Sequence, residues 1–309
     1  MHNVLVIDVI IAYDSRNSSD LVKACGPCAT PQQLGIIRQR SHSRIKLYSN
    51  DNHPWDAQTY DKVSSNVQLQ WGLKLLDKRT WIGNEIVMDA GAGSGNLTKI
   101  LADKLPQGQI YAVDADPNMV QQAKSNLSGC SNVQVIHSSM DKVNLPTEVD
   151  VIFSNSALHW ILDQEGLFSH FWQLLKPNGE LLIEYGGYGN VERPLSVIFK
   201  ITQSDQFREH FVDWKQSWYF PKPDEIERLL QKAKFRNTQV NLSKRATIFP
   251  DRHSFAIFIR TVIMKPFLGY LPDAKKKEQF LDVFLNEFER TGWAWSVDFM
   301  RLGISAEKL

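Results

Sequence analysis

A chain that runs from a short apolar strand into an acid-flanked, glycine-rich turn and then a helix has few folds open to it, and this one does so over residues 85–105. The run Glu85–Asp89 ends at Asp89-Ala90-Gly91-Ala92-Gly93-Ser94-Gly95, and Leu97–Leu105 follows with helical spacing until Pro106 and Gly108 stop it. Glycines at these places let the backbone turn tightly and bring the amides of a helix N-terminus against a ligand. The next strand, Gln109–Val113, leads to Asp114. It stands about 20 residues beyond the loop, where an acid can accept hydrogen bonds from both hydroxyls of a ribose.

The same alternation continues down the chain. Asp116-Pro117 is an N-cap with proline at the first helical position, opening a helix to about Leu127. Val133–Ile136, Asp150–Phe153 and Glu180–Glu184 read as further strands, with a helix near Gln164–Leu175 before Lys176-Pro177-Asn178-Gly179. Thr238–Phe249 and Phe299–Glu307 read as a closing antiparallel pair, flanking helices near His253–Met264 and Asp273–Arg290; Lys275-Lys276-Lys277 is a solvated helix face. Upstream, Tyr60–Leu76 places Val63, Val67, Trp71 and Leu75 at helical spacing. The expected fold is α/β: a Rossmann-like, doubly wound, mostly parallel seven-stranded sheet with an antiparallel last strand. A helical, aromatic cap is expected over about 186–235. Ligands of such sheets bind outside the carboxyl ends of the strands, where strand order reverses.

A dinucleotide-binding fold shares this logic, and a nicotinamide oxidoreductase is the competing enzyme class. Its fingerprint is G-x-G-x-x-G around a pyrophosphate. Here the spacing is G-x-G-x-G, and Asp89, two positions before the first glycine, suits a cationic ligand end and sits awkwardly beside a pyrophosphate.

Asp89–Gly95 resembles motif I of the class I S-adenosylmethionine (SAM)-dependent methyltransferases, with Asp114 as their ribose-binding acid. Ser138-Ser139-Met140 falls where that family lines the adenine. Ser154-Asn155-Ser156-Ala157-Leu158-His159-Trp160 resembles the S-N-x-A-L-x-W segment of the trans-aconitate methyltransferase-like branch. Trp55 and Tyr60, with Ser64, Ser65 and Gln68, are similar to that branch's N-terminal helix over the cofactor. Glu184–Asn190 and Trp218-Tyr219-Phe220-Pro221 are similar to its later segments. The resemblance spans about 53–309 and implies a SAM-dependent methyltransferase domain over 51–309. The cofactor-binding residues it implies are Trp55, Tyr60, Gln68, Asp89, Ala90, Gly91, Gly93, Gly95, Asp114, Ala115, Met119, Ser139, Met140, Asn155, Ser156 and Ala157.

Methyl transfer from a sulfonium is an in-line displacement that chiefly needs alignment and exclusion of water. A carboxylate acceptor, with pKa near ~4, is ionised at neutral pH and needs no base; a hydroxyl or carbon acid needs one. By resemblance a small-molecule carboxylate oxygen is the favoured acceptor. The alternatives are a hydroxyl or carbon acceptor with His159 as base, or a non-catalytic SAM-binding protein. Asn155-Ser156-Ala157-Leu158 lacks the N/D-P-P-Y/F pattern of enzymes that methylate base or amide nitrogens. His159, just beyond a strand end, is the candidate catalytic residue, as donor or base; its plain alternative is capping a helix or pairing with a carbonyl. Trp160, Tyr185, Tyr188, Arg193 and Trp218 are the candidate substrate residues, Arg193 as a clamp for an acidic group.

Composition sets outer bounds. With 35 Lys+Arg against 34 Asp+Glu, a net charge of +1 gives no global pull on nucleic acid. No apolar run reaches the ~20 residues needed to span a bilayer. Three cysteines make no disulfide framework, so a cytoplasmic protein is expected. No metal is expected, a monomer suffices, and oligomeric state is left open. Residues 1–50, with a basic run at Arg38, Arg40, Arg44 and Lys46, read as a poorly ordered or accessory extension. Its Cys25-Gly26-Pro27-Cys28 has redox spacing but no βαβ frame around it.

Overall fold

The structure is a computed structural model that describes residues 10–12 and 68–309. The accessory reading of 1–50 and the pair Cys25/Cys28, together with Trp55 and Tyr60, lie outside those residues, apart from the short strand at 10–12.

The described strands are β1 (Ile10–Ala12), β2 (Ile86–Ala90), β3 (Gln109–Asp114), β4 (Val133–His137), β5 (Val149–Asn155), β6 (Leu175–Gly186), β7 (Arg236–Ile248) and β8 (Ser296–Glu307). They form one sheet in the order β1-β7-β8-β6-β5-β2-β3-β4. β2 pairs in parallel with β3 and β5, β3 with β4 and β5 with β6, while β8 runs antiparallel between β6 and β7. This is the expected seven-stranded sheet with its antiparallel last strand. The backbone of β1 adds an eighth strand on the edge of β7. Strand order reverses between β2 and β5, so a crevice opens beyond Ala90 and Asn155.

The strands alternate because each has helices on both faces. Val87, Ile110, Val151 and Leu182 pack to one side with Leu75, Leu76, Leu101 and Leu105. Their neighbours Met88, Tyr111, Ile152 and Ile183 pack to the other with Phe168, Phe171, Ile226 and Leu230. The first layer comes from α1, described over 68–76, and α2 (Asn96–Lys104); the second from α4 (Gln164–Leu174) and α6 (Pro223–Lys232). α3 (Pro117–Asn126) begins as the sequence requires, with Asp116 accepting from the amides of Asn118 (2.8 Å) and Met119 (3.4 Å).

The cap draws on more chain than the expected 186–235. α5 (Glu192–Thr202) packs with α7 (Arg252–Phe258), a π-helical turn Ile259–Ile263, α8 (Lys265–Leu268) and α9 (Ala274–Arg290) around a second core rich in phenylalanine. Phe255, Phe267, Phe280, Phe284 and Phe288 are fully buried there. α6 lies inside the expected cap range but packs on the sheet through Ile226 and Leu230. The period of each helix is visible in sequence; which core it joins is a tertiary matter.

Candidate active site

The glycine-rich loop crosses the end of β3, where the amides of Gly91 (2.8 Å) and Ala92 (3.0 Å) donate to the carbonyl of Val113. Gly91 (φ 81°), Gly93 (φ 58°) and Gly95 (φ 84°) all lie in the left-handed region. A Cβ on Gly91 would stand 2.2 Å from that of Ala157, so glycine here lets the loop touch the β5 end. A Cβ on Gly93 would meet nothing within 4 Å: that stretch of backbone faces open space.

Asp114 closes this cradle. Its Oδ2 accepts from Gly93 N (2.8 Å) and its Oδ1 from Asp116 N (2.9 Å), which leaves each oxygen a lone pair for a ribose hydroxyl. Met140 is buried with its Cε toward Gly91. Ser139 Oγ donates to Asp141, and Ala115 carbonyl meets His137 Nε2 at 3.1 Å. Ala90 lies in the buried strand and its carbonyl accepts from Ser154 Oγ at 2.6 Å. Asp89 is buried beneath the loop, accepting from Thr98 Oγ1 at 2.6 Å. Burial, against the pull of that hydrogen bond, raises its carboxyl to about 7, with the Asp114 charge adding to the rise. The open backbone at Gly93, the Asp114 carboxylate and the buried Asp89 carboxyl could together hold a nucleoside with a cationic end.

A cavity lies beside the β5 end, with about 560 Å³ of unfilled space, its open mouth included. Gln68, Trp71, Ser156, His159, Trp160 and Trp218 line it, as does Arg301 of β8. Ser156, held at φ 64°, stands on its wall, and Asn155 Nδ2 donates to Gln68 carbonyl (3.0 Å), tying the strand end to α1.

His159 sits in a 3-10 turn, Leu158–Trp160. Gln164 Nε2 fastens that turn by donating to the carbonyls of Leu158 (2.9 Å) and Ile161 (2.7 Å), and Tyr219 N donates to His159 carbonyl (2.8 Å). The imidazole stands among the rings of Trp160 (5.0 Å), Phe220 (5.6 Å) and Tyr185 (6.5 Å). Burial and the Arg301 charge hold its pKa down to about 3, so the ring is neutral at physiological pH. Its Nδ1 is buried without a hydrogen-bond partner among the described residues, and so is Nε1 of Trp71 on the same cavity.

Arg301, which the sequence reading missed, is the charged group of this wall. It is 3% exposed. Its Nε donates to Glu184 Oε1 (3.3 Å) and its Nη2 to Ser156 Oγ (2.9 Å), Asn155 Oδ1 (3.3 Å) and Glu184 carbonyl (3.1 Å). Behind it, Arg245 grips the same Glu184 in a fork at 2.9 and 2.8 Å. Two guanidiniums therefore share one buried carboxylate, and both lie over the Trp71 ring, at 4.7 Å for Arg301 and 5.5 Å for Arg245. Burial draws Arg301 down to about 10, against the pull of Glu184, and it stays charged at neutral pH. A lone arginine inside the apolar strand Phe299–Ile304 was the available signal.

Three expected substrate residues are placed elsewhere. Tyr185 is fully buried and spends its hydroxyl on Gln164 Oε1 (3.0 Å), bracing the turn under His159. Tyr188 is exposed, with Lys222 Nζ 4.9 Å over its ring. Arg193 lays its guanidinium 5.3 Å over Trp293 and does not line the cavity. Trp160 and Trp218 do line it. Among the described residues no cluster of three metal-ligating side chains occurs, and no helix is long and apolar enough to cross a membrane.

Residues 88–183 match a family described as a methyltransferase domain. An uncharacterised methyltransferase of Schizosaccharomyces pombe is 27% identical over 63% of this chain and 75% of its own. A trans-aconitate 2-methyltransferase of an Acidovorax species is 23% identical over 79% of this chain and 91% of its own. A Bacillus halodurans protein solved as a candidate methyltransferase shares the fold, with TM-score 0.53 and 18% identity over 77% of this chain and 98% of its own. Residues 88–183 therefore carry a methyltransferase domain, and these likenesses point to a SAM-dependent methyltransferase.

Proposed function

We propose that this enzyme methylates a carboxylate oxygen of a small-molecule acid. The observation that carries the reading is the surplus of buried positive charge at the acceptor cavity, where Arg301 shares its one carboxylate partner with Arg245. A buried guanidinium without its own counter-charge is costly, and an anionic acceptor removes that cost. Trp71 Nε1 donates nothing among the described residues and lines the same cavity, so it can add a hydrogen bond to an acid.

SAM, when bound, supplies an electrophilic methyl on a sulfonium. Asp114 and the open backbone at Gly93 would hold its nucleoside, and Asp89 would offer a counter-charge to its ammonium end. Arg301 and Trp71 orient the acid across the β5 end, and the aromatic walls keep water away. One carboxylate lone pair forms the O–CH3 bond while the S–CH3 bond breaks, leaving a neutral ester and a neutral thioether with no proton moved. The ester no longer pairs with Arg301, which favours release.

His159 bears on the choice of acceptor. An imidazole held near 3 is a feeble proton acceptor, whereas a hydroxyl or carbon acceptor would need a base matched to neutral pH. Here it serves as a neutral wall and, through Nδ1, a donor to the acid. The Acidovorax relative is named for methylating a carboxylic acid, which agrees with the reading.

The test is Arg301→Met with radiolabelled SAM and a panel of carboxylic acids, the product checked for base lability. Expected is a loss of about 10- to 100-fold in kcat/KM for the acid, the worth of a charged hydrogen bond, with SAM affinity within about threefold. A variant that loses SAM affinity but keeps the acid KM would assign Arg301 to the cofactor and remove the main support.

A further inference from the structure

The polar side chains on the acceptor cavity are Gln68, Ser156, His159, Asn190 and Arg301, with the indole nitrogen of Trp71, and Ser156 and Arg301 lie by the carboxyl ends of the strands. Much of the remaining wall is apolar: Leu195 of α5, Phe220, Val262, Ile263, Pro266 and Phe299. Val262 and Ile263 come from the π-helical turn, where the amide of Met264 donates to the carbonyl of Ile259 (2.8 Å); such turns push side chains off the ordinary helical face. Behind this wall the aromatics interlock, with Trp214 stacked on Phe267 at 5.1 Å and edge-on to Trp218 at 5.8 Å. Among the described residues, Arg301 is the one charged side chain on the cavity, His159 being neutral.

We propose that the acceptor is a monocarboxylic acid with an apolar body, such as a medium-length chain or a single ring, rather than a di- or tricarboxylate. The inference rests on the carboxylate reading above and deepens it. One guanidinium satisfies one carboxylate. A second or third would be pressed against leucine, isoleucine and phenylalanine without a partner, and a buried unpaired charge is far more costly than the hydrogen bonds it could recover. An apolar body gains instead: each methylene sheltered from water is worth roughly a fourfold rise in affinity. In the reaction the single carboxylate oxygen bonds the methyl as it leaves sulfur, and the chain beyond it takes no part in the bond changes.

The experiment uses the full chain with labelled SAM and four acceptors: butyrate, octanoate, trans-aconitate and 1-octanol. Octanoate should exceed butyrate in kcat/KM by about 250-fold, as four extra sheltered methylenes would give, and should exceed trans-aconitate as well. Its product should be the base-labile methyl ester. Preference for trans-aconitate overturns this inference and leaves the carboxylate reading standing. Methylation of octanol alone overturns both. Val262→Phe, which thickens the apolar wall, should depress octanoate turnover at least about tenfold while butyrate stays within about threefold. Equal effects on the two acids would remove the chain from this cavity. Should no acid turn over, octanoate must still bind the protein loaded with S-adenosylhomocysteine in calorimetry, and failure to bind overturns the inference.

Discussion

The proposed cofactor cradle and the proposed acceptor chamber are built in opposite ways. The cradle is nearly contiguous: Asp89–Gly95 and Asp114 provide it, largely through backbone that bends because glycine allows φ of 58° to 84°. The chamber is a mosaic. It takes Trp71 from α1, His159 from a 3-10 turn, Val262 from a π turn and Arg301 from the last strand, and it works through side chains. A backbone site depends on local conformation and leaves a spacing in the sequence. A side-chain site depends on which distant elements the fold brings together.

The sharpest way to break that contrast is to substitute within the cradle. Gly91→Ala drives a methyl to within 2.2 Å of Ala157 Cβ at a φ of 81°. Loop and β5 end must then separate, and expected losses are about 3 kcal/mol of stability and at least about 100-fold in SAM affinity. Gly93→Ala, at φ 58° with nothing within 4 Å, should cost only the left-handed strain of about 1–2 kcal/mol while also weakening SAM binding. Chemical denaturation and calorimetry on the pair separate the two effects. Equal stability losses would show that contact with Ala157 is not what demands glycine at 91.

Asp114→Ala tests the one side chain on which the cradle depends. It removes the proposed ribose partner together with the acceptor for Gly93 N, so SAM affinity should fall by about 1–3 kcal/mol. Unchanged affinity by calorimetry would mean that the ribose is held elsewhere.

This division also governs what could be read from sequence. The doubly wound, mostly parallel sheet, its antiparallel last strand and the helix that starts at Pro117 followed from periodicity, N-capping and the glycine loop. Arg301 did not, because nothing near it in sequence shows that Glu184 and Ser156 lie beside it, 117 and 145 residues away. Arg193 lies over Trp293 and off the cavity for the same reason, because the packing of α5 sets its place. The cap spread to residues 249–299 because phenylalanines at helical spacing show that a helix buries a face, not which core receives it.

Between the two sites, Asp89 gives a pH test of moderate size. Its folded pKa is raised from 3.8 to about 7, so the folded state holds a proton that the unfolded chain releases. The stability it contributes is therefore present in acid and lost as pH rises from about 4 to 7. Asp89→Asn removes that dependence and should stabilise the free protein at pH 8 relative to pH 4 by about 2–4 kcal/mol. SAM affinity of the native protein should rise through pH 7 as the carboxylate ionises beside a cation, and that of the variant should stay flat. A pH-independent native affinity would leave Asp89 a structural acid.

The smallest expected effect lies in the chamber, at His159, and it decides how the chamber works. His159→Phe keeps a ring among Trp160, Phe220 and Tyr185 and removes an unpartnered buried nitrogen. The folded pKa of about 3 lies below the ordinary 6.5, so the native protein loses stability from this group as pH falls from about 6.5 to 3. The variant should escape that loss, and its acid denaturation midpoint should move down. Activity separates the roles. Positioning by a neutral ring predicts less than about a tenfold loss in kcat with an unaltered pH profile from 6 to 8, whereas a general base is worth about 100- to 10,000-fold. A loss of the larger size, relieved as pH rises, would convert the chamber from a binding wall into a proton-transfer site and would move the acceptor from a carboxylate to a hydroxyl or carbon acid.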